Sequence, residues 1–242
     1  MNMRHTSLII IWTLSGEKNE FKEFHDRKCT IYKLFNPEVF LDLFLESEDT
    51  VVIICLEVIL SILTAAPSRD PETNEIINEP DRLAKIHLIP NLLRLLKSGN
   101  SNKEIEYMTM HVIEGLCISY GLKTNSNNQN LLVKYDCLTI LLDLLKRPDE
   151  NDFTQSLLYY TLSILCFKNT KLTYEVFALV DTVEVIKVLY ELLIRSSPLQ
   201  TDGKKNYGIL QKDIDEISTQ ITAGLALCIF YQSNESNLIL FY

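Results

Sequence analysis

Residues 87–96, His87-Leu88-Ile89-Pro90-Asn91-Leu92-Leu93-Arg94-Leu95-Leu96, join an Ile-Pro pair to a leucine-rich run. A proline fits a helix in its first turn, where no amide hydrogen is needed, so Pro90 is expected to open a helix and to force a corner after Ile89. Leucine-rich segments of the same kind recur at Val39-Phe40-Leu41-Asp42-Leu43-Phe44-Leu45, Ile140-Leu141-Leu142-Asp143-Leu144-Leu145 and Val188-Leu189-Tyr190-Glu191-Leu192-Leu193. Counting the run at Asn91, the starts at 39, 91, 140 and 188 lie 52, 49 and 48 residues apart. A polar loop and a second apolar helix follow each one, over 51–65, 107–120, 155–168 and 218–231. Two helix types alternating at a fixed period are the signature of a solenoid, in which each pair buries its apolar faces only by stacking on its neighbours.

Working outward, almost every long segment shows apolar residues at three- and four-residue spacing, and only 7 glycines occur. This is an all-helical pattern. The β-branched run Val51-Val52-Ile53-Ile54 is ambiguous alone, but it continues to Leu63, too long for an ordinary strand, and reads as a buried helix. Ser101-Asn102-Lys103-Glu104 has the form of a capping box ahead of a helix starting near Tyr107. Residues 67–80 and 196–206, with prolines, a glycine and polar side chains, read as inserted surface loops.

These residues resemble armadillo repeats. The segment 87–96 is similar to that family's short first helix, Ile-Pro corner and leucine-rich second helix. Its third helix, with the pattern Ala-Leu-x-Asn-Leu-Ala, matches 59–64, 112–117, 161–166 and 224–229, and Ile10-Ile11-Trp12-Thr13-Leu14-Ser15-Gly16 fits as one more. A narrower resemblance, to the C-terminal repeats of ankyrin-and-armadillo-repeat proteins, rests on Trp12-Thr13-Leu14-Ser15-Gly16 and on the loop Ser126-Asn127-Asn128-Gln129-Asn130-Leu131-Leu132-Val133. The resemblance implies an all-α fold, a right-handed α-solenoid of armadillo- or HEAT-like repeats spanning residues 1–242 as one domain. Its expected parts are a leading half repeat over 1–36 and repeats over about 37–66, 81–121, 131–169 and 175–232. It also implies a protein-interaction scaffold without catalysis. The alternative is a structural array segment that stacks or oligomerises within a larger assembly.

Peptide-binding members of that family keep an asparagine in each third helix to hold an extended peptide. The matching positions here are Thr13, Ile62, Gly115, Ile164 and Leu227, spaced 49, 53, 49 and 63 residues apart against about 40 to 47 for the repeat class. The asparagine ladder is missing. Four residues either side of those positions lie the partner-binding candidates: His111 and Ser119, Tyr160 and Lys168, and Tyr231. Tyr160 falls where peptide-binding members often carry an aromatic. The alternative is that these aromatics pack between helices.

Charge and composition narrow the partners. Apolar residues make up 47% and charged residues 23%, a globular composition. The formal net charge of -9 repels a phosphate backbone, so no nucleic acid is expected. The acidic stretches Glu46 to Asp49 and Asp149 to Asp152 suit a basic segment of a protein partner, or a solvated loop. The apolar run from Ser7 to Leu14 falls far short of the ~20 residues that span a bilayer, so no membrane is expected. Six cysteines, never in CxxC pairs, read as reduced thiols of a cytoplasmic or nuclear protein. The chain starts inside a third helix and stops shortly after another, so further repeats, or self-association at the ends, are expected.

Chemistry finds little support. The four histidines are scattered, and the one pair on a helix face with a thiol, His25 and Cys29, makes only half a zinc site. Asp149-Glu150-Asn151-Asp152 has no partner motif, and Pro148 sets it in a turn. No catalytic residue, cofactor or metal is expected, and the chain reads as no enzyme.

Overall fold

The computed structural model describes residues 48–64, 78–85, 87–97, 102–119, 123–147, 151–179 and 182–195, together with Asn74, Ile76 and Ala226. The chain divides into two compact units, Met1–Tyr135 and Asp136–Tyr242.

In the first unit, helix α1 (Asp49–Thr64) is followed by α2 (Glu79–Lys85), α3 (Leu88–Lys97) and α4 (Lys103–Cys117). A two-residue antiparallel ladder then joins β1 (Ile118–Ser119) to β2 (Lys123–Thr124), and α5 (Ser126–Lys134) closes the unit. Helix α4 is the hub: α1, α2, α3 and α5 all pack on it. Ile105, Met110, Val112, Ile113, Leu116 and Cys117 of α4 are fully buried, and α1 and α3 answer with Cys55, Leu56, Ile59, Leu88, Ile89, Leu92 and Leu96. The ambiguous run 51–54 is helical, because a helix buries Val51 and Val52 beside Cys55 and Leu56 on one face.

Helices α1 and α4 lie side by side and parallel. Near their N-termini Asn102 Nδ2 donates to Asp49 Oδ2 at 3.2 Å, and toward their C-termini Gly115 abuts Leu63. Both are the third-helix type of the sequence pattern.

The second unit begins with α6 (Cys137–Leu145), then α7 (Asp152–Cys166), α8 (Thr170–Leu179) and α9 (Thr182–Arg195). Helix α7 takes the central place there, with α6, α8 and α9 packed on it through Leu157, Leu158, Leu162 and Leu165.

Several local expectations are corrected. Helix α4 starts at Lys103, and its cap is Asn102, whose side chain accepts from Glu104 N at 3.1 Å, rather than Ser101. Helix α3 starts at Leu88, so Pro90 sits inside the first turn, where its missing N–H costs no bond, and the corner lies earlier, at His87. His87 adopts a left-handed backbone (φ 61°), and Asp136, the residue before α6, does the same (φ 67°). The segment read as a loop over 126–133 is helix α5. Asn125 caps it by accepting from Asn128 N at 3.1 Å, and Asn128 and Gln129 are buried in it. Asn128 Nδ2 donates to Leu116 O at 3.1 Å, which is how so polar a sequence is carried inward.

Candidate functional site

The two parallel helices α1 and α4 each keep one row of side chains partly open to solvent. On α1 the row is Ile53, Ile54, Glu57, Leu60 and Thr64; on α4 it is Glu104, Tyr107, Met108, His111, Glu114 and Gly115. Spacings of three and four residues place each set on one helical face. The opposite faces are consumed by packing on α2, α3 and α5, so these rows are what the helix pair can offer a partner. They carry three carboxylates and a histidine. The cation at the start of the α4 row, Lys103, is 3.5 Å from Glu106, which is itself buried.

His111 Nδ1 lies 2.9 Å from Glu114 Oε2, an i,i+3 pair across one turn. The hydrogen bond to Glu114 pushes the imidazole pKa up, partial burial pushes it down, and the Glu114 charge adds to the rise. The net direction is upward, because the carboxylate favours the imidazolium.

The other expected positions are distributed differently. Tyr160 is half-buried on α7. Ser119 and Lys168 do not continue a helical row. Helix α4 ends at Cys117 and places Ser119 in β1, while α7 ends at Cys166 and leaves Lys168 in a left-handed turn (φ 54°), its Nζ 5.1 Å from the Phe167 ring centroid. Adding four residues to a third-helix position runs off the helix in both cases. His111 and Ser119 belong to the first unit, and Tyr160 and Lys168 to the second. Tyr231, Thr13, Leu227, His25, Cys29, residues 67–73 and residues 196–206 lie outside the described residues.

The ladder positions are not merely substituted. Ile62 is 8% exposed and Ile164 2%, so each packs in the interior, and Gly115 is pressed against Leu63. Asparagine serves instead at helix starts, where Asn102, Asn125 and Asn151 cap α4, α5 and α7. The acidic stretches also have local work. Asp49 and Asp152 stand in the first turns of α1 and α7, where a negative charge complements the helix dipole.

Sequence reasoning passed over Glu57, Tyr107 and Glu114. The signal was available in the phase of the apolar residues of α4: Ile105, Met110, Val112, Ile113 and Leu116 mark the buried face and leave 107, 111 and 114 on the other.

A polar cleft of about 310 Å³ also opens in the first unit, lined by Asn78, Asp81 and residues 123–127. Asp81 spans it by accepting from Asn78 Nδ2 at 2.7 Å and from Asn125 Nδ2 at 2.6 Å. Among the described residues no group of three His, Cys, Asp or Glu side chains could hold a metal ion, and no helix is long and apolar enough to cross a membrane.

Helices in this order, with third helices paired side by side, define an all-α solenoid of armadillo-like repeats. Solved structures agree. The chain is similar to the designed armadillo repeat protein YIII(Dq)4CqI, with a TM-score of 0.51 and 13% identity over 93% of this chain and 82% of that one. It is similar also to the designed armadillo repeat protein YIII(Dq.V1)4CPAF in complex with peptide (KR)4, with a TM-score of 0.51 and 12% identity over 93% of this chain and 92% of that one. No protein-family model matches the sequence, and no curated protein matches it.

Proposed function

We propose that this protein is a non-catalytic scaffold that binds a protein partner through the open faces of its third helices, and that the row on α1 and α4 takes a basic, extended segment. The observation that carries this reading is the composition of the row. Glu57, Glu104 and Glu114 stand with Tyr107 and Leu60 on the partly open faces of one helix pair, so carboxylates for a cation alternate with apolar surface for its aliphatic stem. The net charge of -9 adds long-range attraction. A designed neighbour of the same fold holds the peptide (KR)4. Without an asparagine ladder the partner's backbone is not gripped in the manner of the peptide-binding family, so recognition falls to charge and side-chain stacking. Tyr160 supplies an aromatic contact on the second unit.

The repeats are proposed as 37–66, 81–121, 131–169 and 175–232 after a half repeat over 1–36, with the first helices reaching back to Glu79 and Ser126. A likeness to ankyrin-and-armadillo-repeat proteins goes no further than Trp12–Gly16 and 126–133. Buried thiols at Cys55, Cys117, Cys137 and Cys166 suit a reducing compartment, the cytoplasm.

The test is fluorescence anisotropy with a labelled peptide of four Lys-Arg pairs. Binding should weaken as salt rises, and Glu57→Gln with Glu114→Gln should weaken it about tenfold, roughly 1.4 kcal/mol. Replacing His111 and Tyr160 together by Ala should also weaken capture, with the helical circular dichroism kept. Peptide binding unchanged by the double Gln variant would sink the row. Concentration-dependent self-association in light scattering without peptide binding would favour an array segment instead.

A further inference from the structure

The row contains a titratable group of opposite charge, and its net charge depends on pH. We propose that His111 gates the acidic row: as an imidazolium it offsets part of the row's negative charge and weakens capture of a basic segment, and on losing its proton it restores that charge. This rests on the reading above that the row takes such a segment.

The geometry places the two groups 2.9 Å apart, with 39% of the histidine side chain exposed and 12% of the Glu114 side chain, so protons and a partner's cation reach the imidazole edge of the pair. Four helices pack on α4, and their charged groups are Asp49 and Glu57 on α1, Glu79, Asp81, Arg82 and Lys85 on α2, Arg94 and Lys97 on α3, and Lys134 on α5. None of them is among the causes that move the His111 proton; Glu114 is the one charge that does. The bond to Glu114 raises the imidazole above its ordinary value, which brings the charge change toward neutral pH.

Linkage fixes the direction. A cationic partner favours the deprotonated pair, so binding expels the His111 proton, and by reciprocity protonation lowers affinity. Lys and Arg side chains of the partner keep their charge throughout. From pH 8 to pH 5.5 the affinity for the Lys-Arg octapeptide should fall about five- to tenfold, the range of an ordinary coupling between two sites.

A second shifted group falls in this window. Burial raises the Glu79 carboxyl to about 7 on α2, which packs on α4. The experiment therefore measures peptide affinity from pH 5.5 to 8.5 for the unaltered chain, His111→Gln and Glu79→Gln. His111→Gln should flatten the profile to within about twofold, and Glu79→Gln should leave its slope in place. In parallel, NMR titration of the His111 ring should show its midpoint falling when peptide is added. A profile that survives His111→Gln, or a ring midpoint unmoved by peptide, overturns the gate while leaving the row. Absence of binding at every pH removes both.

Discussion

Gly115 stands against Leu63 so closely that a Cβ on the glycine would lie 3.1 Å from both Cβ and Cδ1 of the leucine. Helix α4 meets helix α1 there through the Leu63 side chain, with no side chain of its own. Gly115 occupies the place of the ladder asparagine, so restoring the ladder has a structural cost. Gly115→Asn must push α1 away or bend Leu63, and overpacking of this kind costs about 1–3 kcal/mol. Gly115→Ala gains up to about 1 kcal/mol of helix propensity but meets the stiff Leu63 Cβ, so its net effect should be near zero. Thermal melts of the two variants check this. An Asn variant as stable as the original would show that the helices can part freely.

Asn125 has two tasks at one helix start. Its Oδ1 accepts from Asn128 N and its Nδ2 donates to Asp81, 44 residues away on α2. Asn125→Ala removes both, and should cost more than the ~1 kcal/mol typical of a lost cap. Asn151→Ala removes a cap whose Oδ1 accepts from Thr154 N and from the Thr154 hydroxyl next to it, and should cost about that ordinary amount. Urea midpoints compare them, and equal losses would mean that the Asp81 bond adds nothing.

Glu79 makes stability depend on pH. Its folded pKa of about 7 lies above the ordinary 4.5 because burial disfavours the charge, against which Arg82, 3.7 Å away, works only in part. The group is neutral in both states below pH 4.5; between there and pH 7 the unfolded chain loses the proton while the buried carboxyl keeps it, which favours the unfolded state, and above 7 the loss is complete. Stability should therefore decline from pH 4.5 to pH 7 by an amount on the order of 1–3 kcal/mol attributable to this residue. Glu79→Gln should flatten that interval in chemical denaturation. An unchanged slope in the variant would place the titration elsewhere.

The helix types and their recurrence were legible from the chain because burial imposes a 3.6-residue period wherever Leu, Ile and Val repeat, as at 91–96 and 140–145. Helix α5 was not, since its apolar content is low and Asn128 and Gln129 are buried through partners distant in the chain. The corners at His87 and Asp136 were not legible either. Glycine normally marks a left-handed residue, and here a histidine and an aspartate hold that conformation, which residue type alone does not announce. Of the candidate positions, the step along the third helix stays on α4 at His111, whereas at Ser119 and Lys168 each helix ends before reaching them.

The sequence by itself determined the all-α class, the alternation of helix types, the absence of an asparagine ladder and the acidic balance, all of which are properties of residue type and spacing. Tertiary structure alone decided which faces of α1 and α4 stay partly open, that Glu57 lies on the one and His111 and Glu114 on the other, and that Ile62 and Ile164 are buried. The physical reason is that exposure is a property of the neighbour: a helix has a phase of its own, but only the helix packed against it settles which phase meets water.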